Sequence, residues 1–118
     1  MSGSLLIRAD ATPRMGTGHV MRGLALAQAW QDAGGDVTFA AAELPLALRE
    51  RLASEGCAVE SADDAASTVA VAEKIEAGWV VLDGYQFGDE FQQAVKDGGR
   101  RVLMIDDYGH AGRYPADL

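Results

Sequence analysis

Ionisable and glycine residues follow three of the short apolar segments of this sequence. Asp10 and residues 13–19 follow the first segment, residues 83–85 follow the fourth, and residues 106–108 follow the fifth. If these segments are strands of a parallel sheet, their carboxyl ends meet at one edge, which is where such sheets bind ligands. The sequence therefore predicts a ligand site at that edge.

The turn Gly16-Thr17-Gly18-His19 is the sharpest single feature. Glycines let the backbone turn tightly and approach a ligand, and a helix behind them presents N–H groups and the positive end of its dipole. The turn fits neither common nucleotide pattern, because Gly23 is misplaced for the dinucleotide pattern and no Gly-Lys-Ser/Thr follows for the P-loop. On spacing alone, a turn without a ligand is the more common outcome.

His19 would lie in the first turn of that helix. The positive end of the dipole disfavours an imidazolium there, and a neutral imidazole facing a cleft is a candidate general base near pH 7. The alternative is a histidine that only caps or fills the turn.

The acidic residues also have a structural alternative. A carboxylate just after a strand often caps the next helix, which Asp10 could do, and Asp106 or Asp107 could brace the loop beside it. Arg8 and Arg22 could simply neutralise these carboxylates.

The pattern along the chain predicts five strands alternating with four helices. The predicted strands cover residues 5–7, 37–40, 57–59, 79–82 and 101–105, and the predicted helices cover residues 18–33, 46–55, about 65–77, and 88–97. Strands and helices at this spacing form βαβ units with right-handed crossovers. The fold class that follows is α/β, with a doubly wound, mostly parallel, Rossmann-like sheet.

Composition limits the function further. A length of 118 residues indicates one domain, and a net charge of −8 with scattered basic residues argues against nucleic acid and anionic membranes as partners. The single cysteine, Cys57, excludes an internal disulfide and a cysteine zinc site. With no signal peptide and no apolar run of membrane-spanning length, we expect a cytoplasmic protein.

Four of these segments resemble a known family. Residues 6–11 (LIRADA) and 16–22 (GTGHVMR) resemble the opening of the UDP-sugar hydrolases of pseudaminic acid biosynthesis, the PseG family, and a similar opening marks the SpsG-like spore-coat polysaccharide proteins. Residues 81–85 (VLDGY) and 102–107 (VLMIDD) agree with the same family. The resemblance covers essentially the whole chain in order and spacing.

The resemblance implies a GT-B architecture, in which two Rossmann-like domains face each other across a cleft. Residues 1–118 would be the N-terminal, sugar-side domain, and a nucleotide-binding domain missing from this chain would follow. Such an enzyme removes UDP from a UDP-linked diacetamido-trideoxy sugar with inversion and needs neither a metal nor a cofactor.

The resemblance also implies roles for individual residues. His19 would be the catalytic residue near the anomeric carbon, with Asp83 and Tyr85 lining the site. Asp10, Asp83 or Asp107 would orient His19 or hold polar groups of the sugar. The full set of expected substrate-binding residues is Asp10, Gly16, Thr17, Gly18, Arg22, Asp83, Tyr85 and Asp107.

Other interpretations stay open. A glycosyltransferase of the same fold would share the glycine turn, and a non-catalytic sugar-binding domain would fit if the short chain were the natural product. A phosphoacceptor receiver domain matches the length but needs an acidic pair after the first strand and a Lys after the fifth, which this sequence lacks. An isolated half of a cleft enzyme could also form a homodimer through its uncovered face.

Overall fold

The computed structural model describes residues 3–13, 16–84 and 86–105. In this part of the chain the elements are β1 (Ser4–Ala9), α1 (Gly18–Asp32), β2 (Asp36–Ala41), α2 (Leu46–Ser54), β3 (Ala58–Ser61), α3 (Ala65–Lys74), β4 (Ala77–Asp83), α4 (Asp89–Asp97) and β5 (Arg101–Ile105). All nine predicted elements are confirmed, with ends that differ by a few residues. None of the described helices is both long enough and apolar enough to cross a membrane.

The five strands form one sheet in the order β3-β2-β1-β4-β5, and every neighbouring pair is parallel. The chain builds outward from the central strand β1 to β3, then crosses back to add β4 and β5 on the other side. The strand order therefore reverses between β1 and β4, where open α/β sheets form a ligand crevice at their carboxyl edge. This confirms the Rossmann-like α/β class.

Helices cover the sheet on both faces. On one face α1 packs on β1 and β2, and α2 packs on β3; on the other, α3 packs on β4 and α4 packs on β5. Side chains alternate along each strand, so that Leu5 and Ile7 of β1 join the core under α1 while Leu6 joins the core under α3 and α4. Strands buried on both faces explain the continuous apolar runs in the sequence.

A glycine in the second turn of α1 holds that helix close to the sheet. A Cβ atom added at Gly23 would lie 3.1 Å from Ile7 Cγ2 and 3.1 Å from a ring carbon of Phe39. Since no larger residue fits without movement of these side chains, α1 packs closely on β1 and β2. The first turn of the same helix carries His19, which meets Asp83 at the end of β4.

The third helix begins with a side-chain cap. Asp64 is the N-cap residue of α3 and forms a capping box with Ser67: the Ser67 backbone N–H donates to Asp64 Oδ1, and the Asp64 backbone N–H donates to Ser67 Oγ.

Candidate functional site

Three of the predicted site residues meet at the reversal point of the sheet. Asp83, at the end of β4, is fully buried, and its Oδ1 lies 2.7 Å from His19 Nδ1 and 2.6 Å from Arg22 Nη2. Its Oδ2 accepts a second hydrogen bond from Arg22 Nε at 2.8 Å. This His19–Asp83–Arg22 cluster ties the start of α1 to the end of β4.

The contact with Asp83 determines the tautomer of His19. A carboxylate can only accept, so Nδ1 carries the proton, and in a neutral ring Nε2 is then the nitrogen with the lone pair. Arg22 Nη2 also lies 3.5 Å from His19 Nδ1. This distance reflects two N–H donors that share one acceptor, because Arg22 Nη2 and His19 Nδ1 both donate to Asp83 Oδ1. His19 is therefore held with Nε2 as its basic atom.

The glycine turn closes just before α1. The Gly16 N–H donates to the Thr12 carbonyl at 2.8 Å, and Gly16 has a φ of +76°, a conformation that favours glycine. Thr17 is the N-cap residue, yet within the described chain its side chain makes no capping hydrogen bond, and the first turn holds no acidic residue. Because Thr17 and Gly18 are exposed, the positive end of α1 is accessible to an anion.

Asp10 braces three loops at the same edge of the sheet. Its Oδ1 accepts from Arg8 Nη1 at 2.7 Å and from the backbone N–H groups of Ala42 at 2.7 Å and Glu43 at 3.3 Å. Its Oδ2 accepts from Gln86 Nε2 at 3.0 Å. Asp10 thus joins the loops that follow β1, β2 and β4, and its hydrogen bonds go to those loops instead of to the start of α1.

Arg8 is a buried charge on the central strand. It is only 1 % exposed, pairs with Asp10, and lies with its guanidinium 5.1 Å from the centre of the Phe87 ring. Its Nε atom has no hydrogen-bond partner among the described residues. Together with the Arg22–Asp83 pair, this confirms the expectation that Arg8 and Arg22 neutralise the carboxylates. Burial of the Arg8 charge costs several kcal/mol of desolvation free energy, on the order expected for any buried ion.

The sequence analysis missed Gln86 and Phe87, which complete the Asp10 cluster. Only their position after the fourth apolar segment pointed to them. The predicted residues Tyr85 and Asp107 lie outside the described residues, as do Asp106, Tyr108 and His110. Within the described ranges, no three His, Cys, Asp or Glu side chains are close enough to hold a metal ion.

A groove of about 530 Å³ opens beside the Asp10 cluster, on the α3 and α4 face of the sheet. It lies at the start of these two helices, and Gln86 connects it to Asp10. Its lining residues are Ala65, Gln86, Gly88, Asp89, Glu90 and Phe91.

Comparison with known proteins shows a likeness of fold. No family model and no curated protein matches the chain. Among solved structures, the chain is similar to a protein from the universal stress protein family from Burkholderia pseudomallei, with 18 % sequence identity, a TM-score of 0.53, and coverage of 87 % of this chain and 95 % of that chain. At this identity the likeness shows the fold alone.

These findings correct the family and function expected from the sequence. A structural neighbour is a universal stress protein, and no family model or curated protein of a PseG or SpsG family matches, so the assignment as a UDP-sugar hydrolase of pseudaminic acid biosynthesis is wrong. The alternatives, a glycosyltransferase and a sugar-binding domain, have no support either. The physical reason is that glycines before a helix and aspartates after a strand suit the reversal point of any doubly wound sheet, so short motifs of this kind do not specify a family.

Proposed function

We propose that this chain is an enzyme domain that binds a phosphorylated small molecule in the crevice between β1 and β4 and uses His19 as a general base. The observation that carries the proposal is the hydrogen bond between His19 Nδ1 and the fully buried Asp83. A carboxylate that orients a histidine through Nδ1 leaves Nε2 as the atom that exchanges a proton with a ligand.

The accessible start of α1 supports a phosphorylated ligand. Backbone N–H groups behind a glycine turn are suited to phosphate oxygens, and no side chain of the described residues caps them. Arg22 adds a positive charge, and its side chain is 38 % exposed although Asp83 holds two of its nitrogens. Arginine offers five N–H donors, so it can bind an anion while it stays paired with Asp83.

The location of the cluster supports catalysis over a purely structural role. A buried ion pair contributes little net stability compared with apolar packing, yet the buried pair Arg8–Asp10 and the partly buried pair Arg22–Asp83 both lie at the carboxyl edge of the sheet. Asp10 and Gln86 brace the loop after β4 and so hold Asp83 in place for His19. A positioned base of this kind contributes roughly 10²–10⁴-fold to a proton-transfer step.

A second domain that closes over this edge, as in a GT-B cleft, stays a prediction. Such a domain would exclude water from His19 and provide further contacts for the ligand.

Binding is tested with inorganic phosphate as the probe, followed through the backbone amide NMR signals of the 118-residue chain. We expect the signals of Gly16, Thr17 and Gly18 to shift with saturable dependence on phosphate. Arg22→Gln should weaken this binding about tenfold, the loss of one charge-assisted contact. The matched control, Lys74→Gln, removes an exposed cation on α3 and should leave binding unchanged.

Catalysis is tested separately. A panel of phosphorylated metabolites is screened for thermal stabilisation of the chain, and each compound that binds is assayed for turnover. His19→Gln should keep ligand affinity within about threefold and lower turnover by about 10² or more. Phosphate shifts that spread over the whole surface, or a His19→Gln variant with full turnover, would contradict the proposal.

A further inference from the structure

An acidic residue after β2 lies against the base of the glycine turn. The Ala11 N–H, just after β1, donates to the Glu43 carbonyl at 3.0 Å, and the Glu43 N–H donates to Asp10 Oδ1 at 3.3 Å. Thr12, which follows Ala11, provides the carbonyl that accepts from the Gly16 N–H at 2.8 Å. Two backbone hydrogen bonds therefore hold Glu43 just after the end of β2, beside the segment that leads into the turn and α1.

The side chain of Glu43 has no role in the packing of the fold. Among the described residues, its carboxylate makes no hydrogen bond and no ion pair, whereas Asp10 and Asp83 at the same edge each accept several hydrogen bonds from protein groups. A lone carboxylate at a protein surface usually does no more than bind water. Whether Glu43 does more depends on what the surrounding elements are arranged to bind.

The arrangement around Glu43 is that of a dinucleotide-binding half. In such sheets α1 and its glycine turn bind phosphate, and an acidic residue after the second strand accepts a hydrogen bond from the ribose. Here β2 lies directly beside the central β1 in the order β3-β2-β1-β4-β5, and α1 packs on β1 and β2. Relative to the phosphate site proposed at residues 16–18, Glu43 therefore occupies the position of the ribose-binding acid.

The glycines of the turn and of α1 support the same comparison. In dinucleotide-binding turns, the first glycine makes the turn, the second allows close approach of a phosphate, and the third lets the helix pack on the sheet. Gly16 makes the turn with a φ of +76°, Gly18 begins α1, and Gly23 allows α1 to pack against Ile7 and Phe39. The sequence pattern fails only because Gly23 comes later in the helix than the third glycine of the motif.

We propose that the phosphorylated ligand is a ribonucleotide whose ribose donates hydrogen bonds to the Glu43 carboxylate. This rests on the proposed function, because the phosphate must lie at the start of α1 for the ribose to reach Glu43. A carboxylate only accepts hydrogen bonds and repels other anions, so it suits a hydroxyl pair and disfavours a phosphate. The site therefore accepts a ribose with an unmodified 2′-hydroxyl and rejects one that carries a 2′-phosphate.

The test compares ribose with deoxyribose by NMR titration of the 118-residue chain. The probes are the 5′-monophosphates of adenosine and uridine, a purine and a pyrimidine nucleotide, and their 2′-deoxy counterparts. We expect the amide signals of Ala42 and Glu43 to shift together with those of residues 16–18. The ribonucleotide should bind about tenfold more tightly than its 2′-deoxy counterpart, which lacks one hydrogen bond to a charged group. Inorganic phosphate should shift the signals of residues 16–18 without this preference.

Variants of Glu43 test whether its carboxylate causes the preference. In Glu43→Ala, the ribonucleotide and its 2′-deoxy counterpart should bind within about twofold of each other, while inorganic phosphate binds as before. Glu43→Arg should also bind adenosine 2′,5′-bisphosphate more tightly than the unmodified chain does, because arginine suits a 2′-phosphate. The matched control, Glu50→Arg, makes the same substitution at an exposed carboxylate of α2 and should keep the preference for ribose.

Failure of the ribose site is distinguishable from failure of the phosphate site. If inorganic phosphate shifts residues 16–18 but neither nucleotide binds, or ribose and deoxyribose nucleotides bind equally, the ribose site is overturned and the proposed function stands. Survival of the ribose preference in Glu43→Ala would also overturn the ribose site. If inorganic phosphate leaves residues 16–18 unchanged, the proposed function and the ribose site are both overturned.

Discussion

Replacing Asp83 with asparagine tests the core of the candidate site. The change keeps the shape of the side chain but removes the charge that receives three hydrogen bonds of 2.6 to 2.8 Å from His19 and Arg22. Removal of one partner from a fully buried ion pair costs about 3–5 kcal/mol. Here the Arg22 side chain is 38 % exposed, so water can solvate the unpaired cation, and we expect a smaller loss, about 2–3 kcal/mol of unfolding free energy.

Urea unfolding at pH 7 measures this loss. The matched control is Asp32→Asn, which makes the same substitution at an exposed carboxylate at the end of α1, and it should change the unfolding free energy by less than about 0.5 kcal/mol. The ¹⁵N signals of the His19 ring should also change, since an asparagine amide can present either a donor or an acceptor to Nδ1. If Asp83→Asn is no more destabilising than the control, the three residues do not form the ionic cluster described above.

Two further predictions concern pH. Burial raises the pKa of the Cys57 thiol, and Glu55 adds to the effect, so the folded chain keeps the thiol proton to higher pH than the unfolded chain. The free energy of unfolding should therefore fall as pH rises above the ordinary thiol range. Urea titrations should show this decrease in the unmodified chain but not in Cys57→Ala. Hydrogen bonds from Ser67, first from its backbone N–H and then from its hydroxyl, lower the pKa of Asp64. The stability that this cap contributes is present at neutral pH and is lost as pH falls through the lowered pKa of Asp64. Asp64→Ala should therefore reduce the melting temperature at pH 7 and make progressively less difference in acid. An equal reduction of the melting temperature at neutral and acidic pH would contradict this account.

The fold could be predicted from the sequence because local signals agree along its whole length. Runs such as residues 79–82 are apolar throughout, as strands covered on both faces require. Gly34 directly follows the end of α1 with a φ of +95°, a helix end that glycine favours. The order of strands could not be predicted in the same way. It depends on whether β4 pairs with β1 or with β3, and that choice is made by packing between distant segments.

The site was predicted in part, and its limits have a physical cause. Asp83, His19 and Arg22 follow predictable element ends, so their meeting at one edge could be expected. The role of Asp10 could not, because its partners Ala42 and Gln86 become neighbours only once three loops are assembled. The family assignment was wrong because the quoted motifs describe how a doubly wound sheet turns at its edge, a feature that many unrelated proteins share.

The central place of β1 has a consequence during synthesis on the ribosome. β1 emerges before every other described strand, but its second neighbour, β4, begins only at Ala77. Until β4 emerges, any pairing of β1 with β2 and β3 leaves the other edge of β1 open along Leu6 and Arg8, because the backbone groups that pair with β4 have no strand to meet. At about 5–20 residues per second this exposure lasts for seconds, during which a chaperone or a neighbouring nascent chain can pair with that edge. A translation pause after β3 has left the ribosome and before β4 has left it should therefore lower the yield of folded protein more than a pause after β4 has emerged.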